Sequence, residues 1–290
     1  MLALALSTLF TACFGLGIRT AQGLGANLTA VGAVNYLTAM LVNLALAAAT
    51  GSLRLRPVGL AIALAGGATY ASAFFLVFRL TRSRGAAVTG AVMRLSSVVP
   101  VAVSLLAWGE RLDTLQAAGA ALALASLPLL SFRGAGSPNE PAAGTAAPRR
   151  AWLLVPGLFA INGLCLLVTR GWRETGITGQ DPAFLAVLFA AAVLTAGSVW
   201  IAQKRAMRRL DILCGIAVGA CNALGNRFIV IALQQLPGTV VYPFYSAVGL
   251  VITVVVSRLA WRERFGPLGA AGMAIACLSI VLVNLDFGRP

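Results

Sequence analysis

The stretch Ala107-Trp108-Gly109-Glu110-Arg111-Leu112 returns 153 residues later as Ala260-Trp261-Arg262-Glu263-Arg264-Phe265. Under that shift, positions 98–127 match positions 251–280 at about half of the sites, among them Leu115/Leu268, Ala118/Ala271, Gly119/Gly272 and Ser126/Ser279. Shared apolarity alone does not produce so dense a match, so the chain is a duplication. Its fold must be one that a half-length unit can build twice. Five segments long enough to cross a bilayer lie between the copies, an odd number, which puts the copies on opposite membrane faces. Oppositely oriented repeats are a common source of two access states around one site.

Hydrophobic residues make up 59% of the 290 and charged residues 10%, whereas a soluble domain carries about 25% charged residues. The chain therefore belongs in lipid. A span needs roughly 20 apolar residues to cross ~30 Å of hydrocarbon. Windows of that kind fall at 2–18, 26–50, 57–79, 85–108, 113–132, 152–170, 183–203, 211–235, 238–260 and 267–286. The expected fold class is an all-α membrane protein of ten transmembrane helices, arranged as two inverted five-helix repeats. The first repeat covers 1–133 and the second 151–290, joined by a linker at 134–150 rich in Gly, Ser, Pro and Ala. The other loops are too short for an extramembrane domain, so function must lie within the bundle.

A net charge of +14 would suggest nucleic acid in a soluble chain. Here the arginines sit in short loops, so the expected partner is the lipid bilayer and no nucleic acid. Loops after odd-numbered spans hold Arg19, Arg79, Arg82, Arg84, Arg133, Arg149, Arg150, Lys204, Arg205, Arg208, Arg209, Arg258, Arg262 and Arg264. The other face holds Arg54, Arg56, Arg111, Arg170, Arg173 and Arg289. That split, 14 against 6, puts the richer face in the cytoplasm and both termini outside, in the cell (inner) membrane. Cys13, Cys165, Cys214, Cys221 and Cys277 fall inside spans without metal-ligand spacing and read as packing residues. The first span lacks a basic stretch before it, so no cleaved signal peptide is expected.

Arg94 in the fourth span and Arg227 in the eighth are the charges that fall well inside spans. An arginine at mid-bilayer costs roughly 2.5–3.5 kcal/mol on insertion scales, so such side chains face the bundle interior or a cavity, or snorkel outward. Ser97 shares a face with Arg94, and Asn222 and Asn226 form an i,i+4 stripe beside Arg227. Tyr242, Tyr245 and Ser246 add polar groups to the first turns of the ninth span. Two guanidiniums with amides and phenols nearby suit a carboxylate or phosphate, because arginine presents a planar fork. Alternatively, each arginine donates to carbonyls freed by Pro100 or Pro243, which lie on equivalent spans of the two halves. Thr8, Thr11, Asn35, Tyr36, Asn43, Thr69, Tyr70, Ser72 and Asn162 are expected to bond between helices rather than line a path. Glu110 and Glu263, in the repeated hinge, are expected to cap neighbouring backbone or pair with arginine.

There is no histidine, and the eight acids (Glu110, Asp113, Glu140, Glu174, Asp181, Asp211, Glu263 and Asp286) lie in loops or at span ends. No buried carboxylate is therefore expected to exchange a proton for a cation. The one lysine, Lys204, lies in a loop, which argues against an intramembrane Schiff base. Without histidine, the usual general base for serine hydrolysis is missing. No catalytic residue, metal site, cofactor or enzyme activity is expected.

Leu95-Ser96-Ser97-Val98-Val99-Pro100, Trp108-Gly109-Glu110-Arg111-Leu112 and Gly119-Ala120-Ala121-Leu122 together resemble the EamA half-domain of the drug/metabolite transporter superfamily. The second half repeats the pattern through Tyr242-Pro243, Glu263-Arg264 and Gly272. The resemblance covers nearly the whole chain. It implies an inverted-repeat basket around a central cavity, lined by spans 3, 4, 8 and 9 with parts of 1, 2, 6 and 7. It also implies export or exchange of small metabolites such as amino acids. Two features depart from the family pattern. Asn35-Tyr36 stands where members commonly carry an arginine before an aromatic, and many members keep their termini in the cytoplasm.

The expected function is that of a secondary transporter, acting as a monomer on a small anionic or zwitterionic metabolite. Arg94 and Arg227 would engage the acidic group, and Tyr242, Tyr245, Asn222 and Asn226 would orient it. A nucleotide-sugar or organic-phosphate exchanger is the alternative within transport. A membrane scaffold or sensor with a closed core is the alternative outside it.

Overall fold

A computed structural model describes residues 1–109, 114–131 and 151–261, with isolated positions between 271 and 282. Glu110, Glu263, the 134–150 linker and most of the tenth expected span lie outside the described residues. Among the described residues the chain is all helical: α1 (Leu2–Gly23), α2 (Leu28–Ala49), α3 (Pro57–Leu95), α4 (Val98–Leu106), α5 (Thr114–Ser131), α6 (Ala151–Glu174), α7 (Asp181–Ala202), α8 (Arg209–Gln235) and α9 (Gly238–Trp261). Six described stretches are long and apolar enough to cross a membrane: Leu2–Gly23, Leu28–Ala49, Pro57–Leu80, Leu153–Glu174, Asp181–Ala202 and Arg209–Gln235. The chain is a multi-pass helical membrane protein.

Local chemistry sets several helix ends. α1 and α2 each stop at a glycine in left-handed backbone, Gly25 (φ 68°) and Gly51 (φ 66°). In both, the next amide reaches back to the helix, Ala26 N to Ala21 O at 2.9 Å and Ser52 N to Ala47 O at 2.8 Å. This paired closure satisfies carbonyls that the helix end leaves open. At the start of α2, Asn27 Oδ1 accepts from the Thr29 amide.

The boundary between the third and fourth expected spans falls elsewhere than the apolar windows place it. Helix α3 runs unbroken from Pro57 to Leu95, and the break comes at Ser96-Ser97. The repeat supplies the reason. Pro237 separates α8 from α9, but the position 153 residues earlier is Arg84, which does not interrupt a helix. Pro100 acts instead. Its ring would clash with the carbonyl of residue 96, four positions back, and it is accommodated in the first turn of α4, where its missing N–H is no loss.

Two units divide the chain, and each draws on both sequence halves. Unit 1 is Met1–Phe75 with Leu164–Gln235, and unit 2 is Leu76–Gly163 with Leu236–Pro290. In unit 1, α7 begins and ends 153 residues after α2, at 181 against 28 and 202 against 49. The amide of Asn27, just before α2, donates to Asp211 Oδ1 at the start of α8 (2.8 Å). The amide of Arg56, just before α3, donates to Gln180 Oε1 just before α7 (3.1 Å). So α2 starts beside α8, while α7 starts beside α3, at the opposite end of α2. Helices α2 and α7 therefore run antiparallel.

Glycines bring these helices together. A Cβ on Gly219 of α8 would lie 2.6 Å from the Asn35 carbonyl oxygen of α2. A Cβ on Gly66 of α3, 153 residues earlier, would lie 2.6 Å from the Val168 side chain of α6 and 3.1 Å from Cδ1 of Leu188 on α7, 153 residues after Asn35. Between them sits an aromatic core. Tyr36 stacks on Phe189 at 6.2 Å and meets Phe74 edge-on at 5.9 Å, and Trp172 stacks on Phe184 at 4.4 Å. In lipid, where apolar burial between helices gains little, such close packing supplies the cohesion. In unit 2, Leu80, Val92 and Leu158 form a smaller buried cluster, and α9 packs against α4 and α5.

Candidate functional site

In unit 1 the close approach of α8 to α2 at Gly219 puts Asn222, one turn on, against Asn35. Asn222 Nδ2 donates to Asn35 Oδ1 at 3.1 Å. Asn226 Nδ2 donates to Asn222 Oδ1 at 2.8 Å and to the Asn222 carbonyl at 3.0 Å. Tyr70 of α3 donates its hydroxyl to Asn226 Oδ1 at 2.8 Å, and Tyr36 of α2 donates to the Tyr70 carbonyl at 2.9 Å. Three helices are thus tied through side-chain amides and phenols. Asn35 Nδ2 is buried without a partner.

Arg227 follows Asn226 and so points about 100° further round α8. It is half-buried, its Nη1 is fully buried with no hydrogen-bond partner, and no ion pair neutralises it among the described residues. A guanidinium nitrogen withdrawn from water and left unpaired is costly, and an anion is the group that would offset the cost.

Arg94 has different surroundings. At the end of α3 in unit 2, it lies over the Tyr245 ring of α9, 5.8 Å from the centroid, a cation–π arrangement. It also lies along Gly249, where a Cβ would come within 2.7 Å of Nη1. A glycine one turn from Tyr245 leaves the guanidinium room against α9.

The carbonyls exposed at the Ser96-Ser97 break are taken by other groups. Ser97 Oγ donates to the Arg94 carbonyl at 2.8 Å, Ser96 Oγ to the Met93 carbonyl at 2.6 Å, and Asn162 Nδ2 to the same Met93 oxygen at 3.0 Å. Ser97 therefore closes backbone at the helix break, a role its spacing from Arg94 did not reveal. Around Pro243, inside α9, Tyr242 and Ser246 are both buried. The structure thus brings Asn222 and Asn226 together in unit 1, with Arg227 next in sequence, and Arg94 with Tyr245 in unit 2.

The polar residues expected to bond between helices do so at Asn35, Tyr36, Tyr70 and Asn162, whereas Thr8, Asn43 and Thr69 bond within their own helices. Two of the acids expected at span ends lie there but are buried. Asp181 and Asp211, each in the first turn of its helix, are 6% and 0% exposed. Asp181 accepts from Trp172 Nε1 at 2.8 Å and Gln234 Nε2 at 2.7 Å. Asp211 accepts from the amides of Asn27 and Arg208, at 2.8 and 2.9 Å. Burial of both follows from helix ends that fold over them.

No family profile and no curated protein matches the chain. Solved structures do. One, described only as "Crystal structure of protein", superposes with a TM-score of 0.78 over 98% of this chain and 96% of its own length, at 17% identity. At that identity the likeness is one of fold.

Proposed function

We propose that the chain is a secondary transporter of a small anionic or zwitterionic metabolite such as an amino acid, of the drug/metabolite transporter type, with EamA-like halves. Arg227 carries the assignment: a buried, unpaired guanidinium nitrogen within a spanning helix, next in sequence to an amide–phenol network. A carboxylate is the natural complement of that fork. The assignment does not require Arg94, whose guanidinium is engaged by Tyr245 within its own unit.

Inverted repeats in a ten-span chain are part of the same proposal. Support comes from the matched ends of α2 and α7, their antiparallel course, and the equivalent placement of Gly66 and Gly219. Exchange between the two arrangements of such repeats would carry the substrate across.

The test begins with a thermal-shift screen of amino acids, organic acids and sugar phosphates on purified protein, since a ligand of the folded state raises its stability. Uptake into proteoliposomes is then compared for the parent, Arg227→Lys and Arg227→Ala. A charge-assisted hydrogen bond is worth about 1.5–3 kcal/mol, so loss of the guanidinium should cut uptake by roughly tenfold or more. Unchanged uptake by folded Arg227→Ala would sink the anion site.

A further inference from the structure

Two repeats that exchange conformations impose a rule on contacts. A contact between two residues in one access state becomes, in the other, a contact between their repeat equivalents. A residue paired with its own equivalent maps onto itself, so its separation is the same in both states. Such pairs mark the axis of exchange.

Tyr36 and Phe189 form such a pair. They lie 153 residues apart, at the offset of the sequence duplication, and their rings stack at 6.2 Å with an interplanar angle of 27°. They are 3% and 0% exposed. Ala39 and Ala192, one turn further and also 153 apart, are both fully buried in the same core cluster. The self-equivalent faces of α2 and α7 thus meet in one place.

We infer that the Tyr36–Phe189 contact is the pivot of the transport cycle, a point about which the halves exchange conformations without separating. The inference rests on the proposed transport function. Tyr36 also donates its hydroxyl to the Tyr70 carbonyl at 2.9 Å and meets Phe74 edge-on at 5.9 Å. Phe189 has no hydroxyl to match it, so the ring contact itself is the element common to both states.

The same rule supplies a probe that leaves the core intact. Leu41 and Leu194 lie on the same two helices, 153 apart, and are 52% and 75% exposed. In protein with the native cysteines replaced by alanine, spin labels on Leu41→Cys/Leu194→Cys report their separation by pulsed electron resonance. The sample is measured without ligand and with a saturating amino-acid mixture, and uptake of the carbon-14-labelled mixture is measured on the same protein. The expected result is uptake together with one narrow distance that shifts by less than about 2 Å. Adding Phe189→Ala should broaden that distance.

Uptake with a split or shifted distance would overturn the pivot and leave the transport function standing. A distribution that stays narrow in Phe189→Ala would likewise overturn it. Absence of uptake in the cysteine-free protein, where the parent also fails, would overturn the transport function and the pivot with it. If only the labelled protein lost uptake, Leu44→Cys/Gly197→Cys serves as a second self-equivalent pair, since nothing lies within 4 Å of a Cβ at Gly197.

Discussion

Gly219 of α8 lies so close to the main-chain oxygen of Asn35 on α2 that a Cβ there would come within 2.6 Å of it. The obstacle is backbone, which cannot rotate aside, so Gly219→Ala must push the helices apart. Overpacking of this kind costs about 1–3 kcal/mol. Gly197→Ala on α7 is the control, because open space surrounds that position. Replacing glycine within a helix gains about 0.5–1 kcal/mol where nothing opposes it. Melting in detergent should therefore fall for Gly219→Ala and hold or rise for Gly197→Ala. Equal melting temperatures would remove the tight crossing from the account.

The amide network should behave as a unit. Tyr70→Phe removes the donor to Asn226 Oδ1, and Asn222→Ala removes the amide that joins Asn35 to Asn226. An ordinary hydrogen bond contributes about 0.5–1.5 kcal/mol, and a stranded buried partner costs about 1–3 kcal/mol. Asn222→Ala is thus the more damaging change. Because both substitutions act on Asn226, the double variant should depart from additivity by about 0.5 kcal/mol or more. A double-mutant cycle measured by chemical unfolding checks this, and strict additivity would show the bonds to be independent.

Asp181 joins the end of α6 to the end of α8 by accepting from Trp172 and Gln234. Asp181→Asn turns one acceptor into a donor that faces a donor, at a cost of about 1–3 kcal/mol. The double variant Asp181→Asn/Gln234→Glu reverses the polarity of the second bond and should regain part of the loss. Thermal melting reads the stability, and the emission of Trp172, in protein whose other four tryptophans are replaced by phenylalanine, reads whether the first bond survives. No rescue by the double variant would mean that Asp181 acts through its charge rather than these bonds.

Much of the fold was legible because lipid enforces a simple code of apolar length and short loops. Helices α2, α7 and α8 begin and end within two residues of the windows read from hydropathy. The α3–α4 boundary was not legible from apolarity, since the basic run Arg79 to Arg84 reads as a loop although no residue in it breaks a helix. Comparing Arg84 with Pro237 across the repeat would have found it. Among the site residues, Asn222 and Asn226 were found through their i,i+4 spacing. Asn35 and Tyr70, which complete their bonds, stood out as polar residues within spans, but their partners are far away in sequence and were not legible. Asp181 did carry a signal. An acid followed by proline at a helix start is a familiar pattern, but its burial depends on Trp172 and Gln234, which only the tertiary fold brings to it.

The charge distribution makes an orientation prediction that can be tested on intact cells. If the charge count over the expected spans sets the orientation, both termini lie outside and the 134–150 linker, flanked by Arg133, Arg149 and Arg150, lies on the cytoplasmic side. Ser137→Cys in cysteine-free protein should resist a membrane-impermeant maleimide applied to spheroplasts and react once the membrane is opened. A cysteine appended before Met1 should show the reverse. Labelling of the linker from outside would invert the topology. It would also mean that the arginine asymmetry does not set orientation in this chain.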